Sequence, residues 1–113
     1  MEKSDLELSV GEVKKLLAAS DMTLLDARPR QSWERSGCKL PGALRFDPER
    51  ARAFAHNHER DRRLVFYGDG QDDAFLINLA KLFRHWGHAR THVMTGGLTR
   101  WSNLSNPLEN KRR

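Results

Sequence analysis

Apolar residues in this chain fall into short runs divided by glycine, proline and charge, and the runs alternate in character. Residues 6–8 suit a short edge strand, and Ser9 with Glu12 three positions later has the spacing of a capping box. Val10, Val13, Leu16 and Leu17 then recur at helical spacing, which predicts a first helix ending near Ser20. Met22 to Asp26 is a compact apolar run closed by a carboxylate and reads as a buried strand. After Arg28-Pro29-Arg30, a short helix is expected over Gln31 to Arg35 with Trp33 inward. Lys39 to Ala43 is a proline and glycine turn, and Ala43 to Phe46 the strand it leads into. Asp47-Pro48 starts a helix that carries Ala51, Phe54 and Ala55 on its inner face, and a polar link over His56 to Arg63 follows.

The stretch from Arg63 to Trp86 organises the rest. Leu64 to Tyr67 is uninterrupted and apolar, as a strand covered on both faces must be, and a loop of glycine and acid, Gly68-Asp69-Gly70-Gln71-Asp72-Asp73, separates it from a long amphipathic helix. On that helix Phe75, Leu79, Leu82 and Trp86 form one stripe, Leu76, Ala80 and Phe83 lie beside it, and Gly87 ends it. Thr91 to Met94 is the last strand, and Gly96-Gly97 turns into a short helix bearing Leu98 and Trp101. Strands alternating with helices predict an α/β domain with a central parallel five-stranded sheet, right-handed crossovers and helices on both faces. We divide the chain into a segment over 1–8 with the candidate edge strand, a folded body over 9–102 and a polar basic tail over 103–113.

Composition narrows the function classes. With 113 residues, 38% hydrophobic and 31% charged, the chain fits one soluble domain with a single core. No apolar run approaches the ~20 residues of a membrane span, and the charged start lacks a signal-peptide core, so a cytoplasmic protein without membrane attachment is expected. Cys38, the only cysteine, excludes an intrachain disulfide and a cysteine-rich zinc site, in keeping with a reducing compartment. The net charge is +5, yet the basic residues are scattered apart from Arg60, Arg62, Arg63 and the tail Lys111, Arg112 and Arg113. No aromatic stripe interleaves with them, so nucleic-acid binding is not expected.

The strand, loop and helix after Arg63 have the architecture of a site. A strand turning straight into a helix converges backbone N–H groups, and the helix N-terminus adds partial positive charge there. The loop contains no cysteine, serine, histidine or arginine, so it holds no obvious nucleophile. Its three carboxylates, with no basic residue between Gly68 and Asp73, disfavour anionic substrates.

Three stretches together resemble one family, the rhodanese-like domains. Leu24-Leu25-Asp26-Ala27-Arg28 is similar to the family's aspartate-x-arginine signature after the second strand, and Leu40-Pro41-Gly42-Ala43 to its proline-glycine-alanine turn. Gly87, followed by Val93-Met94-Thr95-Gly96-Gly97-Leu98-Thr99-Arg100-Trp101, resembles its closing glycine-glycine-x-x-x-tryptophan block. The resemblance spans Ser9 to Trp101 and implies a rhodanese-like single domain and, in active members, sulfur transfer through a cysteine persulfide. That cysteine begins the loop after the central strand. Counted from Tyr67 its position is Gly68, and counted back from Gly87 it falls nearer Gly70. Val65 to Gly70 and Phe83 to His88 look closest to the non-catalytic half of tandem thiosulfate sulfurtransferases, which has a tyrosine and acidic residues where the active half has its cysteine.

Cys38, with Lys39 beside it, is a relocated sulfur carrier or a tolerated, partly buried thiol outside the loop. Asp72 and Asp73, with Asp69, suit acid–base work or a hard cation, but one of them capping the central helix needs no ligand and is preferred. Asp26 and Arg28 are expected to form an ion pair that holds the turn after a strand; with Pro41, Gly42, Gly96, Gly97 and Trp101 they are the structural residues of the family motifs. His85, His88 and His92 lack a carboxylate or cysteine at ligand spacing, so no metal and no cofactor is expected. Periodicity assigns Trp33, Trp86 and Trp101 to the core. The reading is a non-catalytic binding or regulatory module that meets an unidentified protein or small molecule through Gly68 to Asp73. The alternative is a sulfurtransferase working through Cys38, and phosphatase chemistry lacks its cysteine and arginine in the loop.

Overall fold

A computed structural model describes residues 5–111. Its elements run β1 (Glu7–Leu8), α1 (Val10–Ala18), β2 (Thr23–Asp26), α2 (Arg30–Arg35), β3 (Cys38–Lys39), β4 (Leu44–Arg45), a 3-10 turn (Pro48–Arg50), α3 (Ala51–Asn57), β5 (Leu64–Tyr67), α4 (Asp73–His85), β6 (Thr91–Met94), α5 (Gly97–Asn103) and β7 (Glu109–Asn110). Five strands form a parallel sheet in the order β1-β6-β5-β2-β4. Within it Leu24 stands beside Val65 and Asp26 beside Tyr67.

Alternation along the two central strands divides the core between the faces of the sheet. Leu24, Val65 and Tyr67 pack with Val10 and Val13 of α1 and with Trp101 of α5. Leu25, Leu64 and Phe66 face the other way, onto Ala51 and Ala55 of α3 and Leu76, Leu79, Ala80 and Phe83 of α4. Successive side chains on a strand point to opposite faces, so a strand covered on both must be apolar throughout, as β5 is. The capping box at α1 forms as expected: Glu12 N–H donates to Ser9 Oγ (3.1 Å) and Ser9 N–H to Glu12 Oε1 (2.8 Å).

The structure corrects three expectations about packing. The buried stripe of α4 is Leu76, Leu79, Ala80 and Phe83, whereas Phe75 and Leu82 are 55% and 41% exposed. Apolar residues ran almost around the helix, so the pattern left its rotation undetermined. Of the three tryptophans only Trp101 is fully buried, its indole N–H donating to the Pro107 carbonyl (2.7 Å). Trp33 and Trp86 are half-buried and carry cations on their rings, Arg45 and Lys111 on the first and Arg52 on the second. The third concerns the segment after Trp101, in which no strand was expected. It returns as β7, antiparallel to β3, with Asn110 opposite Cys38 and Glu109 opposite Lys39.

Candidate functional site

The loop after β5 lies at the carboxyl ends of the strands, beside the Gly96-Gly97 turn that follows β6. The two turns are laced together: Leu98 N–H donates to the Gly68 carbonyl (2.8 Å) and Thr99 N–H to that of Asp69 (3.2 Å). Gly97 makes this approach possible, since a Cβ there would stand 2.4 Å from the Gly70 nitrogen and 2.5 Å from the Gly68 oxygen. Gly96 N–H donates to Asp73 Oδ2 (2.8 Å), which ties the first residue of α4 to the same turn.

Asp72 decides what this loop can do. It holds the position before the first turn of α4, where a capping side chain was expected, yet its carboxylate makes no cap there. Oδ1 turns back and accepts from the N–H groups of Asp69 (3.0 Å) and Gly70 (3.2 Å). Two of the loop's N–H donors are therefore taken by the chain's own carboxylate. Burial raises the Asp72 carboxyl above its ordinary range, the N–H groups of Gly70, Asp72 and Asp69 pull it down, and the Asp69 charge raises it again, leaving it raised.

The same carboxylate occupies the space a side chain at Gly68 would need. A Cβ on Gly68 would lie 2.2 Å from both Asp72 oxygens. At Gly70 the backbone itself forbids the substitution, because φ is +125° and a Cβ would stand 2.7 Å from the Gly96 carbonyl oxygen. Of the two glycines to which the family motifs point, only Gly68 lies outside the left-handed region.

Behind the loop, the first family motif forms a buried polar post. Arg28 Nε donates to Asp26 Oδ1 (3.0 Å) and Nη2 to Asp26 Oδ2 (2.7 Å), with both side chains about 2% exposed or less. Tyr67 Oη donates to Asp26 Oδ2 (2.8 Å) and accepts from Leu40 N–H (3.1 Å), while Arg28 Nη2 also donates to the Cys38 carbonyl (2.9 Å). Burial, then the Asp26 charge, drives the Tyr67 phenol far above its ordinary value, so it remains a neutral donor. This network ties β2, β5 and the Cys38–Leu40 segment together, as the expected ion pair required. It also identifies Tyr67 as a bridge, a role that its apolar sequence neighbours hid.

Cys38 lies on β3, half-buried, with Sγ 3.8 Å from Ser36 Oγ and no other hydrogen-bonding contact at the sulfur among the described residues. Pro41 and Gly42 form the turn before β4, where Gly42 N–H donates to Glu109 Oε1 (2.7 Å). His88 is buried and its Nε2 meets the Ala55 carbonyl (2.7 Å), whereas His85 lies in the last turn of α4. His92 is held between the Asp5 carbonyl and Arg63. Among the described residues no group of three or more histidine, cysteine or acidic side chains is placed to hold a metal ion, and no helix is long and apolar enough to cross a membrane.

Beside the loop lies a hollow of about 320 Å³, lined by Asp69, Gln71, Thr99, Arg100 and Leu104 among others. Arg100 supplies there a positive charge that the loop's own sequence lacks.

The rhodanese-like domain family's sequence profile matches residues 9–104. This chain belongs to the rhodanese-like domain family. Similar solved structures include the solution structure of a rhodanese-like domain from an Anabaena sp. protein, 24% identical, covering 100% of this chain and 85% of that one at a TM-score of 0.77. A human single-domain sulfurtransferase is 20% identical over 87% of this chain and 96% of its own, with a TM-score of 0.68. A Rhodopseudomonas palustris protein of unknown function, described as a possible tyrosine phosphatase, is 22% identical over 91% and 83%, with a TM-score of 0.74. No curated protein matches the sequence. At these identities the neighbours establish the rhodanese-like fold alone.

Proposed function

We propose that this rhodanese-like domain is a non-catalytic binding or regulatory module that uses the loop after its central strand. The observation that carries the reading is the Asp72 carboxylate, which takes the N–H groups a reacting sulfur or an anionic substrate would need and fills the space of a Gly68 side chain. What the loop offers outward is recognition. Gln71 is exposed, Phe75 stands in solvent on the first turns of α4, and Leu104 is 53% exposed on the rim of the adjoining hollow. A partner protein or small molecule would meet a polar, mixed-charge surface with apolar contacts at its margin. A reducing, cytoplasmic setting fits the single unpaired thiol.

The test is thiosulfate-to-cyanide sulfur transfer with the unmodified protein and Cys38→Ser, beside an active family member as control. The expected result is no turnover in either, and no gain of ~32 Da, one sulfur added to a thiolate, after thiosulfate treatment. Turnover or persulfide formation that disappears in Cys38→Ser would overturn the reading and assign a sulfurtransferase with a moved nucleophile.

A further inference from the structure

A second concavity lies beside the edge strand β4, and no residue of the Gly68–Asp73 loop lines it. It encloses about 650 Å³ between α2, β3 and β4, within the roughly 300–1,000 Å³ typical of small-molecule sites. Its charges do not balance. Of the acids on its wall, Asp26 is taken by Arg28 and Tyr67, and Glu34 by Arg30 (3.2 Å). Of the bases, Lys39 is matched by Glu109 (3.5 Å). Arg35, Arg45 and Lys111 remain, each without a carboxylate partner among the described residues.

Two of these cations are fixed in place. Arg45 Nη1 donates to the carbonyls of Arg28 (2.7 Å) and Asp26 (3.3 Å), and its guanidinium carbon lies 4.9 Å from the centre of the Trp33 ring. Nε and Nη2 carry no hydrogen bond among the described residues, so that edge of the fork is free. Lys111 is anchored by its backbone N–H on the Gly37 carbonyl (2.9 Å), and its ammonium donates to the Trp33 carbonyl 3.9 Å from the ring centre. The chain continues with Arg112 and Arg113. Burial pulls the Arg45 guanidinium below its ordinary value, and Arg28 and Arg30 add to this against Asp26 and Asp47. Positive charge has thus been brought together, and at Arg45 and Lys111 oriented, with no ion pair to Arg35, Arg45 or Lys111 among the described residues.

We propose that this cleft binds a small polyanion carrying two or more phosphate or carboxylate groups, held by Arg35, Arg45 and Lys111 around Trp33. The cleft's size and the seating of Arg45 and Lys111 on a single ring favour a compact ligand over a nucleic acid. This site is independent of the recognition loop: a loop that proves catalytic leaves it unchanged.

The test is calorimetric titration of the unmodified protein with inorganic pyrophosphate and with citrate at low salt, repeated at physiological salt. Saturable binding of at least one probe is expected, weakened by salt because Arg35 is exposed and Arg45 and Lys111 are only half-buried. Arg35→Gln and Lys111→Gln should each weaken it about fivefold, the effect of one partly screened charge, with little change in melting temperature. Lys81→Gln, which removes an exposed cation of α4 outside the cleft, should leave it unchanged. Arg45 is left intact because its Nη1 bonds hold the end of β2. Failure of both probes to saturate, undiminished affinity in the Arg35→Gln/Lys111→Gln double variant, or saturation by an oligoglutamate peptide alone would each overturn the proposal.

Discussion

Placing a thiol at the head of the loop by Gly68→Cys tests the reading of Asp72 most directly. The backbone at Gly68 is not left-handed, so the substitution meets its obstacle in one side chain, the Asp72 carboxylate 2.2 Å from the new Cβ. To admit the cysteine that carboxylate must swing out and release its bonds to Asp69 and Gly70 N–H. Hydrogen bonds to a charged group are worth about 1.5–3 kcal/mol each, and solvent recovers part of that at this half-buried position. A net cost of about 3 kcal/mol follows, which a domain of this size with ~5–15 kcal/mol of stability survives. The melting temperature should fall by roughly 10–15 °C.

Asp72→Ala alone loses the same two bonds and should cost about 2 kcal/mol. The double variant Gly68→Cys/Asp72→Ala loses them only once. Its cost should therefore lie near about 2–3 kcal/mol, well below the sum of the single changes, a coupling of about 2 kcal/mol in a double-mutant cycle. Urea unfolding of the four proteins measures it. Iodoacetamide labelling supplies a second readout: in a Cys38→Ser background the new thiol should react faster once Asp72 is gone, because the freed N–H groups then stabilise a thiolate. Additive destabilisation together with equal labelling rates in both backgrounds would refute the argument that Asp72 occupies the nucleophile's place.

Other expectations follow from the same contacts. Tyr67→Phe strips Asp26 of a donor and Leu40 N–H of its acceptor in a buried setting, and should cost about 2–4 kcal/mol by chemical denaturation. Leu76→Ala should cost about 2–5 kcal/mol, while Phe75→Gln, one position away on the exposed face, should change stability by less than about 0.5 kcal/mol. If the two costs are similar, the assigned rotation of α4 is wrong. His92 accepts from Arg63 at Nε2 and so donates from Nδ1 to the Asp5 carbonyl, which fixes a neutral imidazole. Burial first, then Arg63 and Arg84, hold its pKa below the ordinary 6.5, so the unfolded chain takes up the proton more readily. Stability should be full above pH 6.5 and decline as pH falls toward the lowered value, and His92→Gln should flatten the unfolding free energy over that interval.

The fold was legible because the two periods that specify it are local. Alternation and uninterrupted apolar runs marked the five strands, and Ser9, Asp47 and Gly87 marked helix boundaries, so the order of elements followed from neighbours a few residues apart. Rotation of α4 did not follow, since Phe75 and Leu76 are equally apolar and only the position of the sheet distinguishes them. Nor did β3 and β7: Cys38-Lys39 and Glu109-Asn110 carry no apolar run, and their pairing joins Cys38 to Asn110 across most of the chain.

The loop shows the same limit within six residues. Its composition revealed that a nucleophile was missing and that carboxylates were present, and from this a cap by one of Asp72 and Asp73 was the economical inference. Which N–H groups a carboxylate will take is decided by the turn that presents them, and this turn is held by Gly97 against Gly68 and Gly70 from another part of the chain. The gathering of Arg35, Arg45 and Lys111 along one cleft with Trp33 is of the same kind. In the sequence these are scattered charges and a tail. Only the β3–β7 ribbon, which carries Lys111 back beside α2, turns them into one cleft. What the sequence conceals here is therefore consistent: chemistry made by distant segments meeting, at the one edge of the domain where the strands end.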